Sequence, residues 1–304
     1  MAVRTEGFDL QDFAKDLGSV EQSLLERFLA ESPLCVDKEE VGKIDEAHLP
    51  ASDKLTQNVK HFLGYHLIKQ FDVLNFLEDT GTYIEGMEDA DDEPDVVERK
   101  WLRPLYEAAP TVVHRLLTWL CEEGVYKSEE LQAALKIAER SIDELPCCAL
   151  LSQYLPGPRH SAYELCHADT PFPMGSGMVA TTLQARYQDT CPSLNYWGLA
   201  ASACRDTMKV KEEHSKRMHA TRVGDGGRIT FGTCLQGSHA SEEPENGVVI
   251  QFDEPIAALF RVGMIVTATF QKLSNGSESR WELSSPGYVW PSWYCEKGCI
   301  NSHS

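Results

Sequence analysis

No stretch of this 304-residue chain approaches the roughly 18–20 consecutive apolar residues that a bilayer-spanning helix needs, so no helical membrane span is expected. Cations are scarce as well. Lys and Arg number 28 against 47 Asp and Glu, a formal charge of −19. A surface that neutralises DNA or RNA phosphates needs clustered cations, so direct nucleic-acid binding is not expected. The opening Met-Ala-Val-Arg-Thr-Glu-Gly carries no apolar core of a secretory leader. Ten cysteines are too few for a disulfide scaffold in a chain this long, and without a leader they read as reduced thiols of the cytosol or nucleus.

Catalytic signatures are missing too. There is no Gly-x4-Gly-Lys loop, and Gly224-Asp225-Gly226-Gly227 fails the dinucleotide spacing. Gly175-Ser176-Gly177 is not a nucleophile elbow, because its first glycine adjoins the serine. Asp89, Asp91 and Glu93 alternate like calcium ligands, but Pro94 stands where the loop glycine belongs and Lys100 where the bidentate glutamate belongs.

What is present divides the chain in two. Residues 1–150 hold 15 Lys and Arg against 32 Asp and Glu, a balance of −17, and the remainder is nearly neutral. The expected class is α+β, a helical N-terminal half followed by an antiparallel β-rich C-terminal half. The expected units are an acidic helical domain over 1–150, a Pro/Gly-rich linker over 151–177, a β-rich domain with one helical insert over 178–294, and a flexible Cys-containing tail over 295–304.

Helical spacing recurs through the first half. Leu10, Phe13, Leu17, Val20, Leu24 and Phe28 make one apolar stripe, and Leu55, Val59, Phe62, Leu63, Leu67, Phe71, Leu74 and Leu77 make a second. Gly64 weakens the second by about 1 kcal/mol relative to alanine. A helical hairpin follows. Pro110 suits a first turn before Val113, Leu116, Leu117 and Leu120, and Gly124 stops that helix. Ser128 is placed to cap the next one, Leu131, Leu135, Ala138 and Ile142 form its buried face, and Pro146 ends it. The acidic run from Glu85 to Asp95 reads as a solvated loop, and the vicinal Cys147 and Cys148 as small packing residues.

Period-two alternation appears at Val179–Tyr187, Ile229–Leu235, Val248–Phe252 and Met264–Phe270, and Trp281 with Leu283 continues on a returning strand. Asn275-Gly276 predicts a type I′ hairpin turn. The basic stretch from Trp197 to Met218 predicts the helical insert.

Two constellations have metal-ligand chemistry. His167-Ala168-Asp169, a distal His219 and then Arg228-Ile229-Thr230 supply two imidazoles, a carboxylate and a guanidinium. In order and spacing this is similar to the ligand pattern of the 2-oxoglutarate-dependent oxygenases, over about 60 residues and four side chains. The resemblance implies Fe(II) held by His167, Asp169 and His219, with Arg228 on the carboxylate of 2-oxoglutarate. Cys295 and Cys299, with His303 beyond and Cys234 and His239 upstream, have spacing permitted for structural zinc.

The charge asymmetry carries the main functional expectation: an intracellular, non-catalytic protein-interaction or complex-assembly subunit. Its acidic helical surface is steered toward a protein partner with a basic surface, and it needs no cofactor. The iron oxygenase stands as the alternative, and the zinc site is compatible with either. Lys209, Lys211, Lys216, Arg217 and Arg222 are the one locally basic stretch.

Overall fold

The computed structural model describes residues 13–15, 17–31, 52–70, 94–167, 175–233 and 247–294. The protein is α+β, with helices first and a closed barrel-like sheet over 209–290. Two compact units divide it: Met1–Ala149 with Trp293–Ser304, and Leu150–Ser292.

In the first unit, α1 (Ser19–Glu31), α2 (Ser52–His61) and α3 (Pro94–Glu122) precede α4 (Ser128–Tyr154), whose last turn belongs to the second unit. The Gly18 N–H donates to the Glu21 carboxylate at 2.9 Å, satisfying one amide at the start of α1. Of the predicted stripes, Phe13, Leu17, Leu24, Phe28, Leu55, Val59, Phe62, Leu63 and Leu67 are buried, and Val20 is half-buried. Phe13 lies 5.4 Å from Trp119 of α3, and Phe28 meets Phe62 edge-on at 5.2 Å. After α2 the helix widens into a π-helical stretch, Phe62–Gln70. Gly64 sits within it, and a Cβ there would come 2.6 Å from the Trp293 ring. The glycine therefore admits an indole that alanine would repel. Leu10, Phe71, Leu74 and Leu77 lie outside the described residues, as does Glu85–Glu93 of the acidic run, whose last member, Asp95, is in the first turn of α3 and not in a loop.

The hairpin forms, with four local differences. Pro110 is inside α3, not at its start, because the buried stripe begins earlier, at Leu105, Tyr106 and Ala109. Each interior proline costs about 3 kcal/mol, which that continuous burial offsets. Pro146 likewise falls inside α4, between buried Leu145 and Cys148. Ile142 is exposed, and Ser141 takes its place on the buried face by donating its hydroxyl to the Ile137 carbonyl. At the turn, Gly124 (φ +72°) closes α3 with bonds from Gly124 N to Cys121 O and Val125 N to Leu120 O. Lys127, not Ser128, holds the capping position, since its N–H donates to Glu130 at 2.8 Å.

The second unit opens with α5 (Pro158–His167), α6 (Ser176–Tyr187) and α7 (Tyr196–Ala203). The stretch 151–177 thus carries a helix within its proline and glycine punctuation. Val179–Tyr187 is helix and not strand. Val179, Leu183 and Tyr187 satisfy both periods, and burial on one helical face decides between them. The basic stretch makes the opposite change. Only Tyr196–Ala203 is helical, and Lys209–Val223 is β1, fifteen residues long, because pairing overrides propensity.

The sheet contains β1, β2 (Arg228–Thr233), β3 (Val248–Gln251), β4 (Ile265–Ser274), β5 (Ser279–Ser284) and β6 (Val289–Trp290). Its order is β1-β2-β3-β5-β4-β6, and a further β1–β4 pairing closes five strands into a ring. Closure depends on β1. Lys209–His219 pairs with β4 and Met218–Val223 with β2, with register shifts at Val210/Glu212 and Ala220/Arg222 that bend the strand. β3 and β5 meet in parallel at Ile250 and Trp281, and the other pairings are antiparallel. The short helix α8 (Glu254–Ala257) lies between β3 and β4. Phe231 fills the interior, with Phe252, Phe260 and Phe270 packed edge-on around it at 6.3, 5.8 and 5.5 Å. At the β4–β5 turn only Gly276 has positive φ, as in a type II′ and not the predicted type I′ turn. Asn275 flanks that turn and its side-chain oxygen accepts the N–H groups of Ser277 and Glu278.

Candidate functional site

The barrel interior is occupied by its own aromatic side chains, so the surface available for recognition is the outer wall. Three strands set one row across it: Arg222 of β1 opposite Thr230 of β2, and Thr230 opposite Val249 of β3. Strand alternation fixes this row outward, because Ile229, Phe231, Val248 and Ile250 point into the core. Arg228, two residues before Thr230, extends the wall beside Gln251. Gln251 is already engaged, its amide donating to the Gly226 carbonyl and bracing the β1–β2 turn. Arg222, Arg228 and Val249 are exposed, Val249 at 49%. Among the described residues neither guanidinium has a hydrogen-bond or ion-pair partner.

A second cluster joins α5 to the sheet. Arg280 of β5 donates to Glu282 at 2.7 Å and to Asp206 at 2.6 Å. His160 of α5 lies 3.7 Å from Glu282, an ion-pair rather than a hydrogen-bond distance, and both side chains are almost fully buried. Burial alone would raise the Glu282 carboxyl, but His160 and then Arg280 outweigh it and hold the group below the usual carboxylate range. Asp206 is likewise lowered: the Met208 N–H and Arg280 outweigh its desolvation. Glu164, on the same helix, is raised, chiefly by burial. The Tyr163 hydroxyl donates to Met208 O at 2.9 Å, and Arg280 lies over the Tyr163 ring. These contacts fasten α5 to the start of β1, which is a positioning role.

The residues singled out from sequence fall in different places. His167 ends α5, stacked on Tyr163, with Nδ1 3.0 Å from Tyr163 O and Nε2 2.9 Å from Asp206 O. Both ring nitrogens face carbonyl oxygens, so neither is presented to a metal. His219 lies ten residues into β1, roughly 30 Å of strand beyond the segment His167 contacts. The two imidazoles are not brought together. Burial lowers the His219 pKa, with Arg217 adding to that and a bond to Gly263 opposing it. Arg228 opens β2 on the wall described above. Asp169, Cys234, His239, Cys295, Cys299 and His303 lie outside the described residues. Among the described residues no group of three or more His, Cys, Asp or Glu side chains is placed to hold a metal ion, and no helix is long and apolar enough to cross a membrane.

Two features escaped the sequence reading. His160 and Glu282 are separated by over a hundred residues and carry no motif. The other is a correction: Cys166 and Cys204 form a disulfide between the ends of α5 and α7, with Cα atoms 5.0 Å apart, instead of two reduced thiols. Cys121, Cys147, Cys148 and Cys191 are thiols.

A three-strand meander, a short helix and a hairpin, closed by β1–β4 and parallel β3–β5 pairing, make a closed five-stranded barrel-like sheet. That architecture defines a scaffold and a wall, and leaves the ligand to the residues on it. The chain matches no protein-family model, and no curated protein or solved structure is significantly similar to it.

Proposed function

We propose that the protein is a non-catalytic assembly subunit whose barrel recognises an acidic segment of a protein partner on the β1–β2–β3 wall. The observation that carries this reading is the Arg222–Thr230–Val249 row with Arg228 beside it. Two guanidiniums without a partner among the described residues, bordering an exposed aliphatic side chain, suit a ligand that alternates carboxylates with apolar groups. Single-stranded nucleic acid is less well suited, since the row offers threonine and valine where base stacking needs aromatic rings. The acidic helical half extends the reading. Glu122, Glu123, Glu129 and Glu130 are exposed around the α3–α4 turn and favour a partner with a basic surface there.

Fluorescence anisotropy of the whole chain with a labelled peptide alternating Glu and Leu tests the barrel reading, with an oligothymidylate as the competing probe. The peptide should bind, and Arg222→Glu with Arg228→Glu should weaken it by about tenfold or more. Raising salt from 0.05 to 0.3 M should weaken it as well, because the wall is exposed. Tighter, Arg222-dependent binding of the oligonucleotide would overturn the reading.

A further inference from the structure

The Cys166–Cys204 bridge is placed unlike a buried structural staple. Cys204 is exposed at the C-terminal cap of α7, and Cys166 is half-buried near the end of α5. The bridge joins positions 38 apart in sequence, and the segment it closes contains both α6 and α7. The third cysteine of that segment, Cys191, is a buried thiol whose pKa is raised to about 11 by burial and then by Asp253. It therefore stays protonated and does not compete in exchange.

The fastenings of α7 are unevenly distributed. Its N-terminal end is held by the Asn195 side chain, which accepts the Gly198 N–H at 3.0 Å, and by the Tyr196 hydroxyl, which donates to Cys191 O at 2.9 Å. Trp197 packs at the same end, its ring 3.3 Å from where a Cβ on Gly177 would stand. The C-terminal end is tied to α5 covalently, through Cys204. An eight-residue helix is marginal without such ties. Past the bridge, Asp206 is held separately by Arg280, so the part of the chain that depends on the disulfide is Ala201–Arg205.

We infer that Cys204 is a thiol–disulfide exchange site through which a dithiol reductant releases the C-terminal end of α7. A thiolate of the reductant attacks the exposed Cys204 Sγ, the Cys166–Cys204 bond breaks, and Cys166 leaves as a thiolate and takes a proton. The second thiol of the reductant then attacks its own sulfur in the mixed disulfide. Cys204 departs and is protonated, and the reductant becomes a disulfide. Two electrons and two protons have passed to the protein. The Ala200 carbonyl, 3.8 Å from Cys166 Sγ, is positioned to accept the new S–H, so Cys166 stays docked while Cys204 is set free.

Differential alkylation with mass spectrometry, performed on the whole chain, tests the exchange. After equilibration with glutathione disulfide, Cys166 and Cys204 should be recovered as one cross-linked peptide. Millimolar dithiothreitol should convert both to alkylatable thiols under native conditions while Cys191 stays protected. Hydrogen exchange supplies the second readout. Reduction should speed exchange at Ala201–Arg205 by about tenfold or more and leave β1–β5 unchanged, and Cys204→Ser should reproduce the reduced pattern without reductant. Alkylation of both cysteines after glutathione-disulfide treatment would overturn the inference. So would a bridge that yields only on denaturation, or a Cys204→Ser protein that exchanges like the oxidised form.

Discussion

Glu282 shows how one buried carboxylate sets a pH dependence. Its pKa is lowered in the fold because His160 and Arg280 outweigh the burial that alone would raise it. The folded state therefore holds this proton less readily than the unfolded chain. The stabilisation is complete above the unfolded carboxylate pKa of about 4.3 and is lost as pH falls through the lower folded value. Urea midpoints measured across pH should drop below about pH 4, and Glu282→Gln should flatten that acid limb. Arg280→Ala removes the bonds to Glu282 and Asp206 together and should cost about 2–3 kcal/mol at neutral pH, less than a fully buried pair because the guanidinium is partly solvated. An Arg280→Ala protein as stable as the parent would deny the cluster its fastening role.

At the scale of elements, glycines mark where backbone and ring approach closely. Alanine is the better helix former by about 1 kcal/mol, yet Gly64→Ala should destabilise by about 1–3 kcal/mol, because its methyl meets the Trp293 ring. Thermal unfolding of Gly64→Ala decides which effect wins, and a raised Tm would show that the indole moves aside. Gly227 has φ +82°, and a Cβ there would fall on the Phe252 carbonyl oxygen. Gly227→Ala should therefore loosen the β1–β2 turn and cost about 2–3 kcal/mol in the same measurement. Since that turn borders the Arg222–Val249 wall, peptide affinity should fall with it.

The chain is built from two compact units. Phe231 belongs to the barrel core alone, ringed by Phe252, Phe260 and Phe270. Phe231→Ala should cost about 3–5 kcal/mol there. Calorimetry of the intact chain should resolve more than one transition, with Phe231→Ala lowering only one of them. A single transition shifted as a whole would mean that the units unfold as one.

Read alone, the amino-acid order determined the α+β class, the helices carrying the Leu24 and Leu116 stripes, and the strands around Phe231, Ile250 and Phe270. Each depends on local periodicity, and a buried face imposes its period directly on neighbouring positions. Val179–Tyr187 and Lys209–Val223 exchanged types because their patterns satisfy two periods, or neither, and partners distant in sequence decide such cases. The ring closure, the Arg222–Thr230–Val249 row, the His160–Glu282 contact and the Cys166–Cys204 bridge were settled only by tertiary structure. Most of their members lie far apart along the chain, and helix packing and strand register, not local spacing, bring them together.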